Sequence, residues 1–253
     1  MERSLSVFVD DEPLAPGGRF CISGKTGLGL YPYLFLLRAW NLTDSQYLQL
    51  FRGKSVAVMR EKSCLAFGKI ADVYRRTVPE GTVTVAAVSL GLDLWEARVS
   101  LSAMAGDGVF STVRALLENS GTGIQLLDIP GEEVFFGRGH SFFGRASLCI
   151  AEALAVAGCR GVLTRSGLKV VREGFSQKPL EMAAADLTDT PRFAEGGKIM
   201  VLSTTVTGFQ PGDEIILSYN IGEYSGIILE RMVGADNGNG PWRTEMMIEV
   251  NRT

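Results

Sequence analysis

The chain has 253 residues and a net charge of −3 at pH 7, and 46% of its residues are hydrophobic. This composition is that of a globular protein long enough for one large domain or two small ones. A net negative charge argues against a protein that binds the phosphate backbone of nucleic acids. The 30 glycines lie mostly between alternating apolar runs, which is typical of β-rich proteins with tight turns.

The N-terminal residues have no basic head followed by an apolar core, so we expect no signal peptide. The apolar runs, for example residues 34–37, are too short to span a bilayer. We expect reduced, mostly buried thiols in a protein made in a cytoplasm, and no zinc site, because the cysteines have neither CxxC spacing nor neighbouring histidines. These cysteines are Cys21, Cys64, Cys149 and Cys159.

The first part of the chain alternates apolar and polar residues as β-strands do. Thr43 and Gln46 have the spacing of a capping box, which predicts a short helix over residues 44–51 that ends at Gly53. Strands joined by short turns close into a sandwich or a small barrel. The predicted strands are residues 4–10, 19–23, 34–40, 55–60, 65–78 and 82–95.

A small α/β module is predicted next. Asp107 is placed to cap a helix whose apolar stripe runs through residues 109–117. The alanine-rich residues 146–157 form the clearest helical pattern in the chain. Ser166-Gly167 is a two-residue turn of the kind that closes hairpins, so we expect a hairpin directly after that helix.

An irregular linker and a second β-region complete the chain, with strands predicted over residues 198–207, 214–219, 224–233 and 242–250. The predicted fold class is therefore mainly β (α+β), with two β-barrel-like domains separated by a small α/β module. The predicted domains are residues 1–105 for the N-terminal β-barrel-like domain, 106–173 for the module, and 174–253 for the linker and the C-terminal β-barrel-like domain.

The string Gly24-Lys25-Thr26 is the nearest approach to a phosphate-binding loop. Such a loop needs a glycine five positions before Gly24, where Arg19 stands, and a helix directly after it. The glycines that follow and Pro32 forbid a long helix. We therefore interpret the string as a surface loop and expect no nucleotide site.

His140 is the single histidine and would have to be the base for any cysteine or serine nucleophile. It lies among four phenylalanines in a glycine-flanked segment where no triad is visible, so a histidine without a catalytic role is the simpler interpretation. A cysteine-dependent hydrolase that uses His140 with Cys149 or Cys159 stays open as an alternative function.

Other candidate chemistry is weak. Residues 236–240 resemble a calcium loop only faintly, and their Asn-Gly composition favours a hairpin turn. The carboxylate pairs Asp10-Asp11 and Glu132-Glu133 have no facing acidic partner and are interpreted as solvated charges. We predict no catalytic, cofactor-binding or metal-binding residue, no cofactor and no enzyme.

The aromatic residues expected to pack the core or an interface from strands are Tyr31, Tyr33, Trp40 and Trp95.

Four stretches, taken in order, carry a resemblance to a known family: LRAWNLTDSQYLQLFRGKSVAV; LAFGKIADVYRRTVPEGTVTVAAVSLG; GVFSTVRALLENSGTGIQLLD with FFGRASLCIAEALAVAGCRGVLTRSGLKVV; and FQPGDEIILSY with GIILERMVGADNGNGPWRTEMMIEV. Together they resemble the tail hub (baseplate hub) proteins of contractile-tailed phages and phage-like particles. The order of parts carries the resemblance, not a single motif. Ala235 departs from the polar residue expected before Asp236.

The resemblance implies a structural function without catalytic residues. Tail hub proteins assemble as homotrimers whose subunits each provide two barrel-like domains, so the ring joins a sixfold tail tube to a threefold spike at the baseplate. The implied location is the virion tail baseplate, assembled in the host cytoplasm. The implied partners are further copies of the chain, the tail tube protein, the spike protein, and baseplate and tape-measure proteins, with no membrane segment and no nucleic acid.

A binding module, for example a carbohydrate-binding tail module, is a further alternative, because small barrels also bind oligosaccharides and nucleic acids. A basic groove lined by aromatic side chains would favour that alternative.

Overall fold

The computed structural model describes residues 4–61, 63–127, 129–172, 179–195, 198–206, 208–220, 222–238, 240 and 242–251. Strands make up 55% and helices 18%, which confirms the mainly β fold class. The chain forms two compact units. The first comprises Met1–Thr26, Tyr33–Leu90 and Leu180–Thr253, and the second comprises Gly27–Pro32 and Gly91–Pro179. Most of both predicted β-regions belongs to the first unit, whereas residues 27–32 and 91–105 of the N-terminal region belong to the second.

The N-terminal part of the first unit is a set of antiparallel strands with a short helix. Thr43 Oγ1 accepts a hydrogen bond from the Gln46 N–H, and Gln46 Oε1 accepts one from the Thr43 N–H, so the predicted capping box is confirmed. The elements are β1 (Ser6–Val9), β2 (Glu12–Leu14), β3 (Phe20–Gly27), β4 (Tyr33–Trp40), α1 (Asp44–Arg52), β5 (Ser55–Arg60), β6 (Ser63–Val78) and β7 (Gly81–Leu90).

The second unit combines helices with two short two-stranded sheets. Its elements are α2 (Leu92–Glu96), β8 (Arg98–Ala103), α3 (Val109–Ser120), β9 (His140–Arg145), α4 (Ala146–Val156), β10 (Cys159–Thr164) and β11 (Gly167–Arg172). Strand β8 pairs with β9, and β10 pairs with β11. The unit's core includes Phe110, Leu116, Phe136, Phe142, Ile150 and Leu154, which are all buried.

The C-terminal part returns to the first unit. Its elements are β12 (Leu180–Ala183), β13 (Arg192–Ala194), β14 (Ile199–Thr204), β15 (Glu214–Tyr219), β16 (Gly222–Asp236) and β17 (Trp242–Asn251). The predicted linker thus contains the strands β12 and β13. Residues 174–178 and 196–197 of this linker lie outside the described residues. Thr207, at the end of the predicted strand 198–207, also lies outside them. The core here includes Met182, Met200, Leu202, Ile215, Leu217 and Met246.

Within the described residues, thirteen strands of the first unit form one hydrogen-bonded sheet in the order β13-β14-β17-β16-β3-β4-β7-β6-β5-β1-β2, with β15 and β12 branching from β16. Strand β12 runs parallel to β15, whereas β15–β16, β16–β17 and β4–β7 are antiparallel. The β16–β3 pair joins the C-terminal β-region to the N-terminal one. The described pairings close neither region into a barrel, so the two predicted barrel-like domains are here parts of one sheet.

Strand β7 ends earlier than the apolar pattern predicts. Gly91 has a φ of +82°, and a Cβ atom there would lie 2.6 Å from Leu163 Cδ1. The left-handed backbone stops the strand, and α2 follows with Trp95 in it. The predicted strand over residues 82–95 is therefore too long, and the prediction that Trp95 lies on a strand is wrong.

The N-terminus of α3 is capped by a residue distant in sequence. The N-cap position is Gly108, which has no side chain, and the Asp107 carboxylate accepts a hydrogen bond from the Met104 N–H instead. The Phe110 N–H donates to Glu133 Oε1 at 2.7 Å. The prediction that Asp107 caps this helix is wrong, because a long-range carboxylate takes that role.

The hairpin after α4 is present, but its turn is shifted by one residue. Thr164 pairs with Gly167, so the turn residues are Arg165 and Ser166 instead of Ser166 and Gly167. Gly167 has a φ of +150°, and a Cβ atom there would clash with the carbonyl oxygen of Gln125. The glycine is required by this close approach of two backbones, and not by the turn itself.

Candidate interaction surface

The two β-regions are joined by the loop that follows β16. The Asn237 N–H donates to the carbonyl oxygen of Phe20 at 3.1 Å, and Asn237 Oδ1 accepts from the Phe20 N–H at 2.7 Å. Asn237 Nδ2 also donates to the carbonyl oxygen of Gly18 at 2.8 Å. The side-chain amide thus continues the backbone pairing between β16 and β3, which is a role that an amide can fill because it carries both a donor and an acceptor.

Asp236 holds this loop in shape. Its Oδ1 accepts a hydrogen bond from the Gly238 N–H at 2.7 Å, and its Oδ2 lies 3.8 Å from Arg19 Nη2. A Cβ atom at Gly240 would clash with the same carboxylate. The segment interpreted as a hairpin turn therefore also attaches β16 to β3, whereas Asn239 and Pro241 lie outside the described residues.

Arg231 joins the two regions from the buried face of β16. Only 3% of it is exposed, and its Nη1 and Nη2 atoms donate to the carbonyl oxygens of Phe209 at 2.8 Å and Leu65 at 2.6 Å. Burial lowers the pKa of Arg231 to about 10, so the guanidinium is still charged at neutral pH. A buried cation is stable only when it is hydrogen-bonded, and the bond to Leu65 fixes β16 against β6.

An apolar groove of about 520 Å³ lies on the opposite, exposed face of β16. Met232 follows the buried Arg231 directly and therefore points to the other face of the strand. The groove crosses the β16–β3 pair, so it forms only when the two β-regions are joined. Its lining includes Gly24, Lys25, Leu34, Met232, Gly234 and Arg243.

The apolar side chains of this groove are unusually open to solvent. Leu34 is 54% exposed and Met232 is 52% exposed. Singly scattered apolar residues are ordinary on protein surfaces, but two that face one concave site mark a candidate binding surface. We refer to this site as the groove.

Two glycines line the groove for different reasons. A Cβ atom at Gly24 would lie 2.5 Å from Phe35 Cδ1, so this glycine is needed for the close pairing of β3 with β4. A Cβ atom at Gly234 would meet nothing nearer than the Arg243 carbonyl oxygen at 4.0 Å. Gly234 therefore keeps the groove open without being required by the packing.

Ion pairs surround the groove. Lys25 Nζ lies 3.5 Å from Glu230 Oε1. Arg243 Nη2 lies 2.6 Å from Glu245 Oε1 and 3.1 Å from Asp189 Oδ2, while Arg192 Nη2 lies 3.9 Å from Glu245 Oε1. The charges around the groove are balanced, so the site favours an apolar occupant over a strongly charged one.

The string Gly24-Lys25-Thr26 lies on β3, so the prediction of a loop at these residues is wrong. Lys25 pairs with Glu230, and Thr26 is buried with a side-chain hydroxyl that has no hydrogen-bond partner among the described residues. The next element is the strand β4, and the helix N-terminus that a phosphate loop needs does not follow. The string contributes to the groove instead.

His140 begins β9 and packs between two phenylalanine rings, with centroid distances of 5.0 Å to Phe136 and 6.0 Å to Phe142. In the described part of the chain no hydrogen bond joins it to either candidate cysteine. The Cys159 thiol donates to the Ala157 carbonyl oxygen. Burial raises the pKa of Cys149, which makes its thiol a weaker nucleophile at neutral pH.

Two carboxylates interpreted as solvated charges have structural partners. Asp10 accepts hydrogen bonds from the backbone N–H groups of Lys54 and Ser55 and from the Ser55 hydroxyl. The Lys54 N–H is the main reason that the pKa of Asp10 lies below its ordinary value of 3.8. Glu133 caps α3, so for these two residues the interpretation as free charges is wrong.

Of the predicted aromatic residues, Tyr31 is exposed, whereas Tyr33, Trp40 and Trp95 are half-buried. The Arg19 guanidinium lies 4.3 Å from the Trp40 ring centroid, and that of Arg145 lies 4.0 Å from the Trp95 centroid. Tyr31, 57% exposed, has its ring centroid 5.7 Å from that of Trp95. The two arginines stabilise the half-buried tryptophan rings through cation–π contacts.

The described residues contain no cluster of three or more histidine, cysteine, aspartate or glutamate side chains that could hold a metal ion. Among the same residues, no helix combines the length and apolar character that a membrane span requires. None of the described residues that line the groove is aromatic. A site that binds oligosaccharides would be expected to have aromatic side chains in its lining.

Solved structures share this architecture. A tail protein from Neisseria meningitidis superposes with a TM-score of 0.70 at 12% identity over 97% of this chain and 96% of its own. The chain has the fold of phage tail proteins. A 43 kDa tail protein of prophage MuSo2 from Shewanella oneidensis has the same fold, with a TM-score of 0.66 at 11% identity over 99% of this chain and 97% of its own.

The tail-protein fold also occurs in a secretion machine. An Escherichia coli component of the type VI secretion system, c3393, which exhibits structural similarity to the T4 tail proteins gp27 and gp5, superposes with a TM-score of 0.69 at 9% identity over 92% of this chain and 74% of its own. No family model and no curated protein sequence matches the chain. The resemblance read from the order of elements is thus supported by the fold.

Proposed function

We propose that the chain is a non-enzymatic structural hub protein of a phage or phage-like tail, located at the virion baseplate. The observation that carries the proposal is the shared fold, which extends over 97% and 99% of the chain in the Neisseria and Shewanella tail proteins. Both β-regions and the helical unit are included in that match. A structural function needs no constellation of catalytic side chains, so the proposal does not depend on one.

In the proposed assembly, three copies form a ring that joins the sixfold tail tube to the threefold spike. Each copy contributes two β-regions, so three copies present six comparable faces on the side of the tube. A closed ring is built from one repeated head-to-tail contact. The fixed junction between the two β-regions, made by Asn237 and Arg231, supports this role because the two faces of one copy must keep a constant relationship.

The ends of the sheet also suit a subunit that assembles. Strands β13 and β2 lie at the two ends of the described strand order, and each is three residues long. Short edge strands limit unwanted pairing with other chains. The proposed partners are further copies of the chain, tail tube, spike, baseplate and tape-measure proteins, which meet in the host cytoplasm during assembly.

The test is to purify the chain and to measure its mass by light scattering and its shape by negative-stain electron microscopy. We expect a mass of three chains, a threefold ring with a pseudo-sixfold outline, and binding to a tail tube protein. A monodisperse monomer at high concentration that binds neither tube nor spike protein would contradict the proposal.

A further inference from the structure

We propose that the outer edge of β6 pairs with β13 of a second copy of this chain, as β16 pairs with β3 within one copy. The outer edge of β6 is the side of residues 71–78 that faces away from β7. This inference rests on the proposed function, because it names the contact that would join neighbouring subunits of the ring. The two β-regions repeat one strand arrangement, and the repeat identifies both the open edge and the strand that fits it.

The two β-regions have the same strand order. In the N-terminal region the neighbours are β3-β4-β7-β6-β5, and in the C-terminal region they are β13-β14-β17-β16-β15. Every one of these neighbouring pairs is antiparallel. Each strand therefore has a counterpart, and β3 corresponds to β13, β6 to β16 and β7 to β17.

The register of the two regions agrees as well. In each region, one row of paired residues crosses four strands. The rows are Gly24-Phe35-Val88-Ile70 and Phe193-Met200-Ile248-Ile228. A β-bulge directly follows the last residue of each row, between Ile70 and Asp72 in β6 and between Ile228 and Glu230 in β16.

A close approach of two backbones also recurs at matching positions. A Cβ atom at Gly68 would lie 2.5 Å from the Ser89 carbonyl oxygen, and one at Gly226 would clash with the Glu249 carbonyl oxygen. Each glycine stands two positions before the last residue of its row, and each meets the strand that follows in its hairpin. The two β-regions are therefore structural repeats.

The repeat shows that one equivalent edge is filled and the other is open. Within one chain, β3 lies along the part of β16 that follows the bulge: the Asn237 N–H donates to the Phe20 carbonyl oxygen, and Lys25 Nζ lies 3.5 Å from Glu230 Oε1. The corresponding part of β6 is residues 71–78. Among the described residues, no strand pairs with the side of this segment that faces away from β7.

The backbone at this edge is directed outward. The Asn41 N–H donates to the Thr82 carbonyl oxygen at 2.8 Å, and the Thr82 N–H donates to Asn41 Oδ1 at 3.2 Å. Because Thr82 uses both groups on its other side, its partner Thr77 directs its own N–H and C=O away from β7. By the same alternation the Val73 N–H faces outward, where the Asp72 carboxylate accepts its hydrogen bond. The edge thus presents the groups that an added strand needs.

Strand β13 of a second copy fits this edge because it is the counterpart of β3. It lies at one end of the described strand order, pairs with β14 on one side, and all three of its residues are exposed. Pairing of β13 with β6 would repeat between copies the contact that β3 makes with β16 within one copy. Such a heterologous contact leads from each β-region to the next, and the ring closes when three copies have supplied six regions.

Two exposed rings would lie beside each other at this contact. Tyr74 is 45% exposed and Phe193 is 47% exposed. In the matched register, Tyr74 takes the position of Met232 and Phe193 that of Gly24, and both of those residues line the groove that crosses the β16–β3 pair. An aromatic pair of this kind would strengthen a strand pairing that is short, since β13 has three residues.

The first experiment measures oligomeric mass by light scattering for the full chain and two variants of one residue. Thr77→Pro removes the N–H that faces outward and leaves the hydrogen bonds between β6 and β7 in place. We expect a shift from trimer to monomer, with association weaker by about tenfold or more, and an unchanged circular dichroism spectrum. Thr77→Ala keeps the N–H, so this matched control should remain trimeric.

The second experiment places the photo-crosslinking residue p-benzoylphenylalanine at position 193 and mixes ¹⁴N- and ¹⁵N-labelled protein. We expect mixed-isotope crosslinks to peptides from residues 71–78. The same label at Phe135, which is 61% exposed in the second unit, is the control and should give no mixed-isotope crosslink to those peptides. This measurement decides the contact by itself if Thr77→Pro does not fold.

The two experiments separate this contact from the proposed function. If the unmodified chain is a monomer, the proposed trimeric hub fails together with the contact. If the chain is trimeric but the mixed-isotope crosslinks map outside residues 71–78, the contact is wrong and the proposed function stands.

Discussion

Asn237 and Phe20 are separated by 217 residues in the chain and exchange two hydrogen bonds, with the Asn237 amide oxygen 2.7 Å from the Phe20 nitrogen. This pair joins the last long hairpin of the chain to one of the first strands. Because the sheet is continuous there, the groove and the two β-regions depend on a contact between the two ends of the sequence.

Replacing Asn237 by alanine is expected to lower the free energy of unfolding by about 1–3 kcal/mol, since the Phe20 N–H and the Gly18 carbonyl lose their side-chain partner. Asn237→Asp keeps the acceptor for the Phe20 N–H but turns the donor to the Gly18 carbonyl oxygen into a second acceptor, so it should also be less stable than the unmodified chain at neutral pH. Urea denaturation of both variants checks these losses. An unchanged urea midpoint in Asn237→Ala would contradict the assigned role of the amide.

Asp10 should make stability depend on pH in the acid range. Its folded pKa lies below the ordinary value of 3.8, chiefly because of the Lys54 N–H, so its contribution is present above that value and is lost as the pH falls through the folded pKa. Asp10→Asn should be less stable than the unmodified chain at pH 6, and the difference should shrink below pH 3.8. Urea midpoints measured across this range provide the test, and a difference that is constant with pH would count against it.

Glu133 is expected to stabilise α3 from outside the helix. Glu133→Ala removes the acceptor of the Phe110 N–H at a helix N-terminus and should cost about 0.5–2 kcal/mol. The adjacent Glu132→Ala, at an exposed residue, is the matched control and should change stability by less than about 0.5 kcal/mol. Thermal unfolding of the two variants decides the matter, and similar melting temperatures would disprove the capping role.

The two glycines of the groove should respond differently to the same substitution. Gly24→Ala places a Cβ atom 2.5 Å from the Phe35 ring and 2.7 Å from the Leu34 carbonyl oxygen, so we expect a loss of about 1–3 kcal/mol from overpacking. Gly234→Ala has open space and should be neutral or slightly stabilising. Chemical denaturation of both variants tests this contrast, and a larger loss at Gly234 would mean that the groove has a different shape.

Local patterns predicted the elements that depend on neighbours in sequence. The capping box of Thr43 and Gln46, the strand over residues 34–40 and the helix over residues 146–157 all follow from periodicity and short-range hydrogen bonding, and the structure has β4, α1 and α4 there. The resemblance based on the order of elements likewise needed only the succession of these parts.

Features that depend on distant residues were not predictable in the same way. The pattern around Asp107 predicts a cap, yet Glu133 provides it from 23 residues away. The string Gly24-Lys25-Thr26 suggests a loop, but pairing of Gly24 with Phe35 continues the strand. No local signal distinguishes Gly24 from Gly234, because only the neighbouring strand decides whether a Cβ atom fits.

The sequence by itself thus determined a mainly β chain with a helical insert, since side-chain periodicity sets which face of each strand or helix can be buried. Only the tertiary structure decided that the two β-regions share one sheet, that Arg231 is buried between them, and that a groove crosses their junction. These properties arise from hydrogen bonds and packing between residues far apart in the chain. The periodicity of the sequence does not determine which distant strand will pair with a given strand.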